Sequence, residues 1–217
     1  MKAFKASLLV LACFVLVPIV GVAQEVDISL KARVTGFAGR FGDTYAAIGY
    51  EPSLLIKPSE KPWAGGLSYS RNILAFDNNS DMKAGMSILN THFGAEATVA
   101  RYFHPFAYAL LGLRFMSYEK DDFSSESSSG FTSVSLGYGA RAGLQIGGKK
   151  WRFEGSIEYL SGTTSRYLTP ESFSRATQEG GAYRNYTSLT SINGVTVAAG
   201  IVYIIDLGSN SSDQTID

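Results

Sequence analysis

The sequence is poor in the residues from which disulfide frameworks and metal centres are built. Its 217 residues include one cysteine and two histidines, too few for either. The charges are balanced, with 19 basic and 19 acidic side chains, so the chain lacks the cationic excess that binds nucleic acid. No glycine-rich loop follows a strand and opens a helix, as a phosphate-binding loop would. We therefore expect no metal, no cofactor and no nucleic-acid partner.

Long hydrophobic runs are also absent, apart from one near the N-terminus. Residues 8–22 are uncharged, but the run is shorter than the ~20 residues of a membrane-spanning helix and contains Pro18. Lys2 and Lys5 precede it, and small residues up to Ala23 follow it. This arrangement is typical of a secretory signal peptide cleaved after Ala23.

Two other interpretations of the N-terminus are a retained membrane anchor and a lipoprotein cleavage site at Cys13. The apolar segment continues beyond Cys13, whereas a processing site belongs at its end. We therefore expect residues 1–23 to be a signal peptide, residues 24–207 to form the folded domain and residues 208–217 to be a polar tail.

Alternation of apolar and polar residues is what the rest of the sequence has in abundance. In residues 131–147, Val134, Leu136, Tyr138, Ala140, Ala142, Leu144 and Ile146 share one face, and the other carries Gly, Ser, Arg and Gln. After a turn at residues 147–150 the alternation resumes in residues 151–159. No apolar stripe with the helical period appears after Glu25. The pattern predicts amphipathic strands.

Eight segments of this kind follow one another along the chain. They lie near residues 26–40, 45–56, 63–75, 92–99, 107–115, 131–147, 151–159 and 194–205. The odd-numbered connections (41–43, 76–89, 119–130 and 164–190) are mostly long and polar, and the even-numbered ones (57–62, 102–105 and 147–150) are short. Strands with this asymmetry are typical of outer-membrane barrels. We predict an all-β fold, an eight-stranded antiparallel up-and-down transmembrane β-barrel.

The composition of the polar face indicates which side of the barrel points inward. It is rich in Gly, Ser, Thr and Ala, with isolated Arg and Glu, and lacks the dense charge of a solvated surface. Small residues suit the narrow interior of eight strands. Aromatic residues near strand ends, among them Tyr45, Trp63, Phe106, Tyr118 and Trp151, predict two interfacial girdles. We favour a membrane barrel, with a soluble exported lipocalin-like ligand binder as the alternative.

The sequence resembles the small OmpA/OmpX-like outer membrane β-barrel family, a porin-like family. The resemblance is carried by the turn and strand from Tyr102 to Gly112, the strand from Val134 to Gly147 and the eight alternating segments. The resemblance covers about residues 25–207 and is one of pattern. It implies a Gram-negative outer-membrane location, contact with membrane lipids and lipopolysaccharide, and a role in adhesion or envelope maintenance; we expect a monomer. Many members end on an aromatic residue, whereas here a polar tail follows Leu207.

An inward polar face would place charged side chains in a medium of low dielectric constant, where each needs a partner or water. The charged residues that we assign to the lumen are Arg33, Arg71, Glu96, Arg114, Arg141, Glu154 and Glu158. We predict that they form a network of salt bridges and hydrogen bonds that plugs the lumen. The alternative is a narrow passive pore, since eight strands leave no wide channel.

Candidate catalytic arrangements are weak. Glu154 and Glu158 are about 13 Å apart at ~3.4 Å per strand residue, beyond the ~5–9.5 Å of a glycosidase pair. His92 has no adjacent serine; a cross-strand partner such as Ser68 is left open, but we interpret His92 as a structural lumen residue. His104 precedes a proline and is interpreted as a turn residue. We predict that the protein is not an enzyme, with a lipid-modifying barrel enzyme as a minor alternative.

The connection at residues 164–190 is the one polar segment whose composition suggests binding. It mixes Arg and aromatic residues, among them Arg166, Tyr167, Phe173, Arg175, Tyr183, Arg184 and Tyr186, which suits adhesion or an anionic glycan. We interpret it as a solvated loop, with an extracellular ligand or host surface as the possible partner.

Overall fold

The computed structural model describes residues 23–58, 61–76, 82–120 and 131–207. The strands are β1 (Ala23–Phe37), β2 (Ala46–Pro58), β3 (Trp63–Ala75), β4 (Met82–Glu96), β5 (Phe103–Lys120), β6 (Phe131–Gly147), β7 (Trp151–Gly162), β8 (Thr164–Tyr167), β9 (Ser188–Ser191) and β10 (Gly194–Asp206). The helices are α1 (Gly39–Gly42), α2 (Pro170–Glu179) and a 3-10 helix (Tyr183–Tyr186). The expected signal peptide, apart from Ala23, and the expected polar tail lie outside the described residues.

Eight strands close into one antiparallel barrel in the order β1-β10-β7-β6-β5-β4-β3-β2. The two short strands β8 and β9 pair only with each other. Within the described ranges, no helix has the length and apolar character needed to cross a membrane. The predicted eight-stranded antiparallel barrel is confirmed.

The connections divide the barrel into two unequal ends. The loop-side rim carries the connections 38–45, 76–81, 121–130 and 163–193, while the turn-side rim carries 59–62, 97–102 and 148–150. β1 begins and β10 ends at the turn-side rim. The asymmetry therefore agrees with the one predicted from the sequence, since the long connections all lie at the loop-side rim.

The two faces of the barrel wall are inverted relative to a soluble protein. Outward-facing Ile73, Phe93 and Phe153 are 65%, 65% and 72% exposed. Inward-facing Glu51 is fully buried and Arg141 is 2% exposed. Because side chains alternate across a strand, the apolar residues on the outside alternate with inward residues that are mostly small or polar, with exceptions such as Leu55 and Leu74.

β4 begins earlier than the sequence predicts, at Met82 rather than after residue 89. In its first half, Met82, Met86 and Ile88 face inward and are buried, while Lys83 faces outward and is exposed. The apolar and polar faces are thus exchanged in this half of the strand. The lumen near the loop-side rim is apolar, and an outward-apolar pattern does not detect such a segment.

The turn between β4 and β5 spans residues 97–102 rather than 102–105. His104, predicted to be a turn residue, lies in β5 and is buried. Pro105 is the reason for the error, because proline indicates a turn but also fits near the first residue of a strand. There its carbonyl accepts a hydrogen bond from the Ala97 amide at 2.9 Å.

The aromatic residues of the outer wall form two groups. Trp63, Phe93, Phe103, Trp151 and Tyr203 lie towards the turn-side rim, and Tyr50, Tyr69, Tyr138 and Tyr159 lie at or beyond the middle of their strands towards the loop-side rim. Of the residues expected in the girdles, Tyr45, Phe106 and Tyr118 are instead buried. Two belts of exposed rings are typical of a barrel with two membrane interfaces.

Inward-facing glycines allow the barrel wall to curve tightly. A Cβ placed on Gly49, Gly66, Gly94, Gly112, Gly139 or Gly200 would lie 2.0–2.2 Å from a backbone carbonyl oxygen of the neighbouring strand. No side chain fits at that distance without moving one strand. Outward-facing Gly155, in contrast, would place a Cβ in open space.

We expect Gly139→Ala to destabilise the barrel by about 1–3 kcal/mol because its Cβ overlaps a neighbouring strand. At this position the Cβ would lie 2.0 Å from the Tyr159 carbonyl oxygen. The matched variant Gly155→Ala has no such contact and should unfold like the wild type. The measurement is the urea midpoint of refolded protein in detergent. Equal midpoints for the two variants would contradict the assignment.

Candidate functional site

A balanced set of charges crosses the middle of the lumen. This central network consists of Lys31, Arg33, Glu51, Arg141, Glu154 and Glu158, three cations and three carboxylates. The strand register brings two pairs of opposite charges directly side by side, Lys31 beside Glu51 and Arg141 beside Glu158. The sequence alternation therefore determines that these groups face inward, and the register determines which of them meet.

Glu51 is the carboxylate with the most cationic neighbours in this network. Arg141 Nη1 lies 2.7 Å from Glu51 Oε1, and Arg141 Nη2 donates to Glu51 Oε2 at 2.7 Å. Lys31 Nζ lies 3.3 Å from Oε1, and Arg33 also donates to Glu51. This carboxylate of β2 thus joins cations from two other strands, β1 and β6.

Glu158 and Glu154 extend the network across the lumen. Glu158 accepts hydrogen bonds from Arg33 Nη2 and Arg141 Nε, each at 3.0 Å. Lys31 Nζ donates to Glu154 Oε1 at 3.0 Å. Since β10 separates β1 from β7 in the barrel, the Arg33 side chain reaches past it to meet Glu158. The central network therefore obstructs the lumen rather than lining its wall.

A second group of charges lies near the turn-side rim. Lys57 Nζ is 2.9 Å from Glu25, 2.6 Å from Asp27 and 2.8 Å from Glu96. Arg152 Nη1 donates to Glu96 Oε1 at 2.9 Å. This turn-side cluster holds three carboxylates and two cations. Its charges are less balanced than those of the central network.

Gln145 connects the two groups of charges. Its amide nitrogen donates to Glu154 Oε2 at 3.2 Å, and its amide oxygen accepts from Arg152 Nη1 at 3.1 Å. The polar interior is therefore continuous from the middle of the barrel to the turn-side rim. Arg33, Glu96, Arg141, Glu154 and Glu158, among the residues assigned from sequence, all belong to it.

Arg114 is buried in the lumen but pairs with the main chain. Its Nη1 donates to the Ile192 carbonyl oxygen at 2.8 Å, and Nη2 donates to the Ser161 carbonyl oxygen at 3.5 Å. Within the described ranges it forms no salt bridge. Its contacts tie the barrel wall to the connection between β7 and β10. Arg114 therefore lies in the lumen, as assigned, but its hydrogen bonds go to main-chain oxygens rather than to the carboxylates of the central network.

Arg71 is placed on the opposite face from the one assigned to it. Its neighbours Ser70 and Asn72 are buried in the lumen, whereas Arg71 is exposed on the outer wall. It shares that wall with Tyr69 and Ile73. The alternation of β3 alone determines this orientation, so its assignment to the lumen is corrected.

Among the described residues, six charged members of the central network and the turn-side cluster were not assigned from sequence. They are Glu25, Asp27, Lys31, Glu51, Lys57 and Arg152. Each lies an even number of residues from an inward-facing polar residue of the same strand and so shares its face. Lys31 shares the face of Arg33, and Arg152 shares that of Glu154. Applying the alternation to every charged residue would have found them.

A serine and a histidine meet in the lumen. Ser68 Oγ and His92 Nε2 are 2.7 Å apart, and both residues are buried. Within the described residues, His92 Nδ1 has no hydrogen-bond partner, so no carboxylate orients the imidazole as in a catalytic triad. The described residues also include no group of three or more potential metal ligands.

The loop-side rim is closed by an apolar cluster. The cluster includes Phe41, Tyr45, Tyr118, Tyr167, Leu168, Phe173 and Ile192, all at most 5% exposed. Tyr45 donates a hydrogen bond to the Leu168 carbonyl oxygen, and the rings of Phe41 and Tyr167 lie 5.4 Å apart. Burial raises the pKa of the Tyr45 phenol. We call the connection 163–193, together with residues 38–45, the loop-side cap.

The loop-side cap is folded rather than an open solvated loop. Thr169 caps α2 in a capping box with Ser172, and Gly180 ends the helix at φ 66°, a conformation that favours glycine. Phe173 stacks on Tyr183 at 5.0 Å. On the exposed side, hydrogen bonds from Arg175 and Tyr186 lower the pKa of Glu179. The sequence-based interpretation of this segment as solvated loop is corrected.

No protein-family model matches the sequence, and no curated protein matches it. Among solved structures, Neisserial surface protein A covers 82% of this chain and 96% of its own, with 12% identity and a TM-score of 0.56. Ail, the attachment invasion locus protein of Yersinia pestis, aligns over 83% of this chain and 97% of its own, with 15% identity and a TM-score of 0.46. A major outer membrane protein of Thermus thermophilus aligns over 82% of this chain and 99% of its own, with 10% identity and a TM-score of 0.47. The chain thus has the fold of an eight-stranded outer-membrane barrel.

We expect Glu51→Gln to destabilise the barrel by about 3–5 kcal/mol, because it leaves buried cations without their counter-charge. Glu171→Gln, on the exposed first turn of α2, makes the same chemical change outside the barrel. It should leave the urea midpoint unchanged. A midpoint for Glu51→Gln equal to that of the wild type would refute a structural role of the central network.

Phe173→Ala should loosen the loop-side cap by about 3–5 kcal/mol through the loss of a buried ring, while the barrel stays folded. The expected result is faster tryptic cleavage after Arg175 and Arg184, with the folded band retained in a heat-dependent gel shift. Phe153→Ala, on the outer wall, serves as the control. Equal cleavage of all three proteins would show that the cap does not depend on this ring.

Proposed function

We propose that the protein is a monomeric barrel of the Gram-negative outer membrane with a structural or surface-interaction role. In this proposal, residues 1–23 are removed on export, residues 24–207 span the membrane, and the loop-side rim faces the outside. The observation that carries it is the inverted wall, with apolar side chains outside and charges inside. The fold shared with outer-membrane barrels supports it.

The inverted wall separates this proposal from a soluble exported ligand binder. A soluble barrel presents polar side chains to water and encloses an apolar ligand cavity. Here the outward apolar residues Leu30, Val197 and Ile157 are 60%, 58% and 60% exposed. The inward residues Lys31 and Arg33 are 1% and 3% exposed. A lipid surrounding makes that distribution favourable, which supports the proposed membrane location.

The obstructed lumen favours a structural or surface role over a passive pore. The central network crosses the middle of the barrel, and the loop-side cap closes one rim. Eight strands leave an interior just wide enough for side chains, and here those side chains are paired with one another. The proposal therefore assigns no open channel to the lumen.

The Ser68 and His92 pair is assigned a structural role in this proposal. Both side chains are buried among lumen residues, so a lipid substrate on the outer wall does not reach them. Their hydrogen bond satisfies polar groups of two adjacent strands, which is a sufficient reason for the contact.

The loop-side cap is the surface that we propose for contact with an extracellular ligand or a host surface. It is packed against the barrel through the apolar cluster, and Arg114 donates a hydrogen bond to its Ile192 carbonyl oxygen. Its exposed side carries Arg175, Arg184 and Leu189, the last 60% exposed. A rigid surface loses less conformational entropy on binding than a mobile loop does.

Leu30→Arg and Leu189→Arg provide a matched test, because both leucines are 60% exposed. Leu30 lies on the outer wall of β1 and Leu189 lies on β9 in the cap. In a membrane barrel, arginine at the lipid face costs about 2–4 kcal/mol. We expect Leu30→Arg to reduce the heat-shifted folded band in outer-membrane fractions, with Leu189→Arg unaffected.

The same fractionation experiment can contradict the membrane assignment. A wild-type protein that is recovered in the soluble periplasmic fraction, or two variants that behave alike, would overturn the membrane assignment. Protease added to intact cells should cleave the loop-side cap of the loosened Phe173→Ala variant and so report its orientation. Cleavage only after lysis would reverse the proposed orientation.

A further inference from the structure

Arg114 is a buried cation whose charge is not neutralised by a neighbouring carboxylate. Among the buried arginines that the structure describes, it alone forms no salt bridge, although it is only 2% exposed. Its Nη atoms donate to main-chain carbonyl oxygens, which carry no net charge. Glu158 acts on it from longer range, but that carboxylate already accepts hydrogen bonds from Arg33 and Arg141. A cation in a medium of low dielectric constant needs an anion close to it.

The other charges of the lumen do not supply that anion. The central network is neutral in itself, with three cations and three carboxylates. The turn-side cluster has one carboxylate more than it has cations, but the central network lies between this cluster and Arg114. On β5, Arg114 pairs with Ser135, which is nearer the loop-side rim than Arg141 along β6. The surplus negative charge and the surplus positive charge are therefore separated along the lumen.

A small cavity inside the barrel adjoins Arg114. Its volume is about 10 Å³, close to the ~10–15 Å³ that a single water-sized particle requires. Arg114 lines it from β5, Arg33 and Thr35 line it from β1, and Thr196 lines it from β10. These four side chains are at most 4% exposed, and the rest of the wall is apolar, with Met86 among its side chains. Buried polar groups from opposite sides of the barrel thus meet at one point.

The polar groups at this cavity are mainly hydrogen-bond donors. Within the described part of the chain, neither Arg33 Nε nor Arg114 Nε has a hydrogen-bond partner. The hydroxyl oxygens of Thr35 and Thr196 are 2.8 Å apart, and Thr196 Oγ1 also accepts from Arg33 Nη2 at 3.2 Å. When Thr196 donates to Thr35, the hydroxyl hydrogen of Thr35 is left to donate elsewhere. A water molecule must donate two hydrogen bonds of its own, whereas a halide ion only accepts, so this set of donors suits a halide ion better.

We propose that this cavity binds a single chloride ion between Arg33 and Arg114. The ion neutralises Arg114 and accepts hydrogen bonds from the two Nε atoms and the Thr35 hydroxyl; such charge-assisted hydrogen bonds are the strong ones. Chloride is slightly larger than water, and the flexible thioether of Met86 allows the wall to adjust. Polyatomic anions are too large for the cavity. The site depends only on the folded barrel and is independent of the proposed role in the membrane.

The first experiment compares urea unfolding of the refolded full-length barrel in sodium chloride and in sodium gluconate of equal ionic strength. A chloride titration gives the dissociation constant. At ten times this concentration, the equilibrium constant for unfolding of the wild type should be about elevenfold smaller than in gluconate. Arg114→Gln removes the charge and the Nε donor and should unfold alike in both salts. The control Arg101→Gln, an exposed arginine in the turn-side connection, should keep the chloride dependence of the wild type.

The second experiment locates the ion by long-wavelength anomalous diffraction from crystals grown in sodium chloride. We expect an anomalous peak between the guanidinium groups of Arg33 and Arg114, with the Met86 sulfur as internal reference. Two results overturn the site and leave the membrane assignment untouched, which fractionation tests separately. One is a wild-type crystal with the sulfur peak but no peak in the cavity, and the other is equal chloride dependence of wild type and Arg114→Gln. A heat-dependent gel shift establishes that each variant is folded; if Arg114→Gln does not fold, the wild-type crystal alone decides.

Discussion

The need to neutralise charge inside a narrow closed lumen is the constraint on which the rest of this structure depends. A carboxylate such as Glu51, fully buried, is stable only if cations reach it with good geometry. Eight strands bring every inward side chain within reach of others. The pairing of Lys31 with Glu51 and of Arg141 with Glu158 is therefore fixed by strand register, and a shift of one residue would turn these charges to the outer face of the wall.

The same lumen is closed by two different kinds of interaction. In the middle and towards the turn-side rim, salt bridges and Gln145 connect opposite walls, which requires space between them. Inward glycines and small residues such as Ala198, which pairs with Arg33 in the register, provide that space. Towards the loop-side rim, Met82 and Met86 make the interior apolar and pack with the cap. Arg114 lies where the two regions meet and satisfies main-chain oxygens of both β7 and the cap.

Alternation with a period of two was enough to predict the barrel, the strand count and the inward direction of most charges. The reason is that successive side chains of a strand point to opposite faces of the wall. It failed where the faces change character: β4 near Met82 is apolar on the inside, so the pattern there resembles a connection. His104 was misplaced because proline signals a turn and a strand start alike. The cap could not be predicted, since Phe41, Phe173 and Ile192 meet only after the barrel has brought distant segments together.

Arg71 shows why a residue that breaks the pattern is informative. Its parity places it outside with Tyr69 and Ile73, yet its charge alone suggests the lumen, and the two criteria conflict. In a folded barrel parity prevails, because turning one side chain inward would require turning the strand. The guanidinium lies over Gly85, towards the end of β4 and β5 whose outward residues are polar. The same alternation that buries Arg33 and Arg141 with their carboxylates thus places Arg71 on the outer wall, where it donates a hydrogen bond to Ser87.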